Sequence, residues 1–308
     1  MSHLSRRKML NASLQGILAA EIAGHTLTQA EPSSTSTLPA VPGELQVVLR
    51  HRVKATNDEQ EQLIEEFVAW KASETAIIIC DMWAEHPCKM AAQRVGRIAP
   101  KMNQVVSDAR DHGVAIIHAP SGGMHHYDGT PYRQRMQKAA FTSPPVPIQD
   151  WCYLDEEREA PMPVEVRKRA TDAVHGCDDP EPRAHKNHDR HEHSAIKIIG
   201  YDGISDNGQE VYNFLEQENR KNVVLMGVHT NMCVLGRSFA IRQMTYLGKN
   251  VALCRDLTDA LYDPRDKPYV SHTRGTQLIV EHIERFWCPS LLSQSLTTIG
   301  EGTNDPRG

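Results

Sequence analysis

The chain has no Cys-x-x-Cys pair, which argues against a zinc scaffold. Its seven cysteines, at 80, 88, 152, 177, 233, 254 and 288, are odd in number and irregularly spaced. They do not read as a disulfide framework, and most are expected to be reduced and buried, Cys80 and Cys254 within strand-like apolar runs. There is no glycine-rich phosphate loop, no internal repeat and no apolar run long enough to cross a bilayer, so stable membrane insertion is not expected. Charge of one sign is missing too: 34 basic residues stand against 39 acidic ones, a net charge of −5. Nothing electrostatic favours nucleic acid or an anionic membrane as partner.

What is present is enough for a sizeable core. At 308 residues and 40% hydrophobic content, one large α/β domain with extensions fits better than two domains. The first residues carry Ser5-Arg6-Arg7-Lys8-Met9-Leu10, which resembles a twin-arginine export signal with Met9 in place of Phe and Asn11 in place of Lys. A weakly apolar stretch follows, Ala30 offers a cleavage point, and EPSSTSTLPAVPG reads as a linker. Residues 1–43 are therefore read as signal and flexible linker, with the mature protein exported to the periplasm or beyond. Glu21 and His25 inside the apolar stretch keep a cytoplasmic location as the alternative. The folded domain spans 44–290, and 291–308 forms a C-terminal arm.

Along the domain, Leu45–Val53 reads as a strand and Asn57–Trp70 as a helix with its acids placed early. Thr75–Cys80, TAIIIC, reads as a buried strand that delivers Asp81 at its carboxyl end, where open α/β sheets place their chemistry. Met90–His112 is an amphipathic helix that Gly96 and Pro100 should kink or split. Val114–Ile117 is the next strand. Residues 141–193 look like an irregular, proline-rich insertion, a lid or a subunit contact. Its histidines 185, 188, 191 and 193 lie among Lys186, Asp189 and Arg190, a context that favours a solvated loop over a metal site. Ala195–Ile199 reads as a strand carrying Lys197, Ile204–Asn219 as a helix capped by Ser205 or Asp206, Asn250–Cys254 as a strand and Thr273–Phe286 as the last helix. Strands and helices alternating in this way predict a parallel sheet covered on both faces.

The chain is organised around Asn222–Met244, NVVLMGVHTNMCVLGRSFAIRQM. Val223–Met226 suits a strand buried on both faces, Gly227 breaks it, Thr230-Asn231 offer N-cap chemistry, and a helix follows with Arg237 and Arg242 free to face solvent. Cys233 then stands at the first turn of a helix, above the end of a central strand. Unsatisfied amides and the helix dipole there favour a thiolate and can bind an oxyanion. A buried free cysteine is the commoner fate of such a residue, so this turn has two readings by itself.

Asp81 after TAIIIC, Lys197 in AIKII and Cys233 in GVHTNMCV together resemble the isochorismatase-like cysteine hydrolases, which include nicotinamidases, N-carbamoyl amidases and ureidoacrylate-type amidohydrolases. The resemblance covers roughly Thr75 to Phe286. It implies a Rossmann-like three-layer α/β/α fold with a six-stranded parallel sheet. It also implies an Asp81-Lys197-Cys233 triad and a cis peptide between Val228 and His229, with the amides of His229 and Cys233 as oxyanion hole. In that scheme Lys197 lowers the Cys233 pKa, Cys233 attacks a carbonyl, and Asp81 carries the proton to the leaving amine.

The Asp-x-His pair by which nicotinamidases hold their metal after the second strand is missing; the chain reads His118-Ala119-Pro120-Ser121 there. No cofactor and no metal are therefore expected. The substrate is expected to be a small amide or ureide, cleaved at a C–N bond. Isochorismate is not, since relatives cleaving that vinyl ether do not need the cysteine. Trp83, His86, His118, His125 and Tyr127 are candidates for the pocket mouth. A homo-oligomer is expected, with a neighbouring subunit shaping specificity. Two alternatives stand beside this reading: a nicotinamidase-type enzyme with a rearranged metal site, and a catalytically silent binding protein.

Overall fold

In the computed structural model, residues 43–54, 61–169, 174–181 and 188–300 are described. All belong to one compact unit, Thr35–Gly308. The export signal, its linker, the cleavage point at Ala30, His185 and the end of the C-terminal arm lie outside the described residues.

Among the described residues nine strands form one sheet: β1 (Glu44–Lys54), β2 (Glu61–Lys71), β3 (Thr75–Cys80), β4 (Ala115–Ala119), β5 (Gly203–Ile204), β6 (Asn222–Val228), β7 (Asn250–Asp259), β8 (Ser290–Leu291) and β9 (Ile299–Gly300). The order is β2-β1-β8-β7-β6-β3-β4-β5, with β9 on β1. From β8 to β5 every pairing is parallel, so the expected six parallel strands are present, and an antiparallel edge of β1, β2 and β9 is added to them. Six helices connect the strands: α1 (Lys89–Asp111), α2 (Pro131–Lys138), α3 (Gly208–Gln217), α4 (Cys233–Gly236), α5 (Ile241–Tyr246) and α6 (His272–Phe286).

The side-chain period of two sorts β3 between the layers. Ala76, Ile78 and Cys80 join the core that holds Phe214, Phe239 and Tyr262. Ile77 and Ile79 join Val95, Ala99 and Met102 of α1 on the opposite face. Pro100 lies on the exposed side of α1, and the helix runs through it without a break.

Four elements differ from the sequence reading. Asn57–Trp70 was expected to be helical, but Glu61–Lys71 pairs with β1 over eleven positions, from Glu44↔Lys71 to Lys54↔Glu61. The available partner decides here, since the strand buries almost nothing and leaves Phe67 82% exposed. Ala195–Ile199 is not a strand; the parallel edge is the two-residue β5. The helix begun at Cys233 is broken after one turn and resumes at Ile241. Residues 290–300 do not leave the domain as an arm but return to the sheet as β8 and β9, burying Leu291 and Leu296.

Most cysteines are reduced and buried as expected, Cys80 and Cys254 among them, but two depart from that reading. Cys88 and Cys177 form a disulfide with a Cα–Cα separation of 5.6 Å, a spacing ordinary for such bridges. The other five are free and buried. Spacing could not reveal a bridge across 89 residues.

Candidate active site

Strands β3 and β6 are neighbours in register Cys80↔Gly227, so Asp81 and Val228 leave the sheet side by side at its carboxyl edge. Gly227 has φ +103°, and a Cβ there would lie 2.1 Å from the Cys80 carbonyl oxygen. Glycine is what lets the two strand ends approach. The Val228–His229 peptide is cis. Asp81 has φ 49°, the left-handed region that Asp and Asn tolerate better than most residues.

The polar residues of the turn do not cap a helix. Thr230 bonds Thr258 through their hydroxyls (2.7 Å), and the Thr258 hydroxyl donates to the Gly227 carbonyl (2.8 Å). Asn231 exchanges two bonds with the Leu261 backbone (3.0 and 2.9 Å). These bonds pin the turn to the end of β7. The amides of Met232 and Val234 both donate to the His229 carbonyl (2.8 and 3.3 Å), which sets Cys233 at the start of α4 with its thiol against Asp81.

Two of the three expected catalytic residues come together. The amide of Ser121 donates to Asp81 Oδ1 at 2.7 Å, while Asp81 Oδ2 has no hydrogen-bonding partner among the described residues. Burial pushes the Asp81 pKa up to about 6, against the pull of Cys233, Arg237 and Ser121. Burial, and then the charge of Asp81, push the Cys233 thiol up as well. The thiolate expected from a helix dipole and a lysine is not favoured: α4 is a single turn, and desolvation outweighs it.

Lys197 does not reach this pair. Its side chain is exposed and Nζ donates to the Ser194 carbonyl at 3.2 Å. Its own amide is held by Asn103 Oδ1 (2.8 Å) on the outer side of α1. The cation facing the thiol is Arg237, whose guanidinium interacts with both Cys233 and Asp81. Arg237 had been expected to point to solvent, but it stacks on Trp151, 5.5 Å from the ring centroid. Arg237 is half-buried and Arg242 fully so, bonded to the Cys152 carbonyl at 2.9 Å and paired with Glu159. The spacing offered the clue, since residue i+4 returns to the face of residue i on a helical turn.

The expected pocket residues divide. Trp83 and His86 stack at 5.9 Å, and His86 meets the His229 ring edge-on at 4.9 Å. Burial lowers the His86 pKa to about 4 and holds His229 well below the ordinary histidine range, so both rings are neutral. Trp83 Nε1, His229 Nε2 and Ser121 Oγ have no partner among the described residues.

His118 is fully buried instead, 3.2 Å from Asp202 and 3.7 Å from Glu192. Burial opposes its charge, but these two carboxylates outweigh it and raise the pKa to about 9. The Tyr127 hydroxyl accepts from the Glu192 amide at 2.7 Å. His125 is exposed and stands with His126 and Asp189 in a group that could hold a cation. That grouping is absent from the solvated-loop reading of the 185–193 run, which considered its histidines without the turn facing them.

The profile of the Isochorismatase domain matches residues 75–271. Among solved structures, a cysteine hydrolase from Pseudomonas syringae pv. phaseolicola 1448A is 14% identical, covering 75% of this chain and 94% of its own, with TM-score 0.45. An isochorismatase-like hydrolase from Alkaliphilus metalliredigens is 14% identical, over 72% and 96%, with TM-score 0.40. An isochorismatase from Pseudomonas putida KT2440 is 11% identical, over 73% and 91%, with TM-score 0.41. No curated protein matches.

Proposed function

The chain belongs to the isochorismatase family, and from that premise we propose a cysteine hydrolase that cleaves a C–N bond of a small, uncharged amide or ureide. The observation that carries this reading is the buried pair of Cys233 and Asp81 beside the half-buried Arg237, in which a carboxyl with a pKa of about 6 faces a protonated thiol. An acid poised near neutrality beside a nucleophile is what proton shuttling needs.

In the proposed reaction Cys233 attacks the substrate carbonyl as Asp81 Oδ2 takes the thiol proton. Arg237 balances the negative charge that passes between sulfur and carboxylate. The oxygen of the tetrahedral adduct accepts from the amides of His229 and Cys233; those of Met232 and Val234 are already spent within the turn. Asp81 then hands its proton to the leaving nitrogen, the C–N bond breaks, and a thioester remains. Water, deprotonated by Asp81, attacks the thioester, and the thiol is restored. The neutral rings of His86 and His229 and the unpartnered Trp83 Nε1 support an uncharged polar substrate rather than an ion.

An ammonia-release screen over small amides, carbamoyl compounds and ureides tests the reading. Turnover of at least one class is expected, with loss in Cys233→Ala. Release that persists in Cys233→Ala would remove the nucleophile.

We also propose that the protein works outside the cytoplasm. The Cys88–Cys177 bridge supports this, because such bonds persist in oxidising compartments. Arg6→Lys with Arg7→Lys is expected to trap a full-length precursor inside a host that has the twin-arginine route, as read by fractionation. Unchanged export would end the proposal.

A further inference from the structure

A second group of chemistry-bearing side chains stands on the surface, where the turn Met124–Tyr127 after β4 faces residues 188–193. His125, His126 and Asp189 each offer one ligand atom, and these atoms all lie within 4.8 Å of one another. His126 Nε2 contacts Asp189 Oδ1, while His191 Nδ1 lies 3.3 Å from Asp189 Oδ2. The His125 and His126 rings are 3.9 Å apart, and the His126 and His191 rings 5.6 Å apart. Donors bound tetrahedrally at about 2.0–2.1 Å from a zinc ion stand about 3.3 Å from each other. The His191–Asp189 separation already has that value.

The 188–193 side of the group is held by the backbone, which brings it against the turn before any ion arrives. The Ala84 amide donates to the His191 carbonyl at 3.0 Å and the His193 amide to the Met82 carbonyl at 2.7 Å. Between them Glu192 forms a bridge with Trp83 and donates its amide to the Tyr127 hydroxyl. A Cβ on Gly123 would fall 2.0 Å from the Arg190 carbonyl oxygen, so the two segments touch there with no side chain between them.

We propose that His125, His126, Asp189 and His191 bind one divalent cation of zinc or nickel type, clipping segment 188–193 onto the turn after β4. Imidazoles with one carboxylate suit these metals better than magnesium or calcium, which prefer oxygen alone. The clip reaches toward Asp81 through the backbone: Glu192, next to His191, bridges Trp83, which stands two residues after Asp81. Its role is to hold that wall of the candidate site, and no step of the hydrolysis runs through the ion.

The test is titration of ZnCl2 or NiCl2 into the full chain after chelation and dialysis, followed by calorimetry. One ion per chain is expected, bound at least tenfold more weakly by Asp189→Asn and by His126→Ala. His185→Ala and His193→Ala are expected to bind as the parent does; the His193 ring already takes the Ala195 amide. Hydrogen exchange gives a second readout, with the Ala84, Glu192 and His193 amides slowing on addition of metal. Equal binding by the parent and both ligand variants, loss of binding in His185→Ala, or unchanged exchange at those three amides would each overturn the proposal.

Discussion

Two aspartates sit at almost the same depth beside strands on either side of β4 and have opposite acidities. Asp202, just before β5, is 2% exposed, and Asp81, just after β3, is 1% exposed. Burial works against both charges. Asp202 overcomes it because Arg110 donates twice (2.8 and 2.9 Å), His118 lies at 3.2 Å and the Ile199 amide donates at 2.9 Å, and its pKa is lowered. Asp81 has one backbone donor, a shared arginine and a thiol, and its pKa rises to about 6. Depth therefore does not set the acidity of a buried carboxyl by itself. The completeness of its set of partners does.

The largest expected effect lies on the Asp81 side. Cys233→Ser should lower hydrolysis by about 10³-fold or more, because a buried hydroxyl is a much weaker nucleophile without a stronger base. Its melting temperature should stay near that of the parent. Steady-state rates within tenfold of the parent would show that Cys233 is a packed core residue.

Substituting each aspartate by asparagine should move stability in opposite directions. Asp202→Asn leaves Arg110 and His118 buried with a weaker partner, and should cost about 3–5 kcal/mol. For Asp81 the folded pKa lies above the unfolded one. The associated stability is complete below about pH 4 and is lost as pH rises through about 6. A rise of about two units corresponds to about 3 kcal/mol. Asp81→Asn should therefore gain stability at pH 8, up to about that amount, while losing about 10²–10⁴-fold in turnover. Asparagine also suits the left-handed backbone at this position. Chemical denaturation at pH 8 decides it: two losses of stability would mean that Asp81 is structural as well.

The pH dependence sharpens the same contrast. If Asp81 must be ionised to take the thiol proton, kcat/KM should rise between pH 5 and 7 with an apparent pKa of about 6. His118 gives the opposite signature, in stability. Its folded pKa of about 9 exceeds the unfolded value, so its contribution is complete below about 6.5 and fades as pH rises through about 9. Urea midpoints should thus fall between pH 8 and 10 in the parent, and the slope should flatten in His118→Gln. A flat rate profile from pH 5 to 7 would remove Asp81 as the base.

Much of this was legible in the sequence where local pattern and tertiary role agree. TAIIIC and NVVLMGV are apolar runs that only a doubly covered sheet can bury, and both deliver their polar successors to one edge. Glu61–Lys71 was not legible, because its strand state depends on β1 and not on a buried face. Arg237 is the harder case because a cationic residue on a helical turn is normally solvated; its inward turn follows from Trp151, far away in the chain, and from Cys233, four residues back. Thr230 and Asn231 have cap-forming side chains, yet their partners are on or beyond β7. In each case a tertiary partner decides, and only for Arg237, four residues after Cys233, does the local spacing carry a trace of it.

The smallest expected effect is the most discriminating between the two cations. Lys197 is exposed, bonds through Nζ to the nearby Ser194 carbonyl, and is not among the charges acting on Cys233 among the described residues. Lys197→Ala should leave kcat/KM within about twofold and stability within about 0.5 kcal/mol, as for surface changes generally. Arg237→Gln keeps hydrogen-bonding capacity but removes the charge that offsets Asp81 and the developing thiolate. It should raise the pKa read from the rate profile above about 6, since Arg237 now holds that value down. Turnover at pH 7 should fall by about 10–100-fold. Running both variants across pH separates charge from packing. A profile shifted by Arg237→Gln and untouched by Lys197→Ala places the catalytic cation at Arg237. The reverse outcome would restore Lys197, and it would require residues 194–200 to leave α1 and move to the carboxyl end of β3 before catalysis.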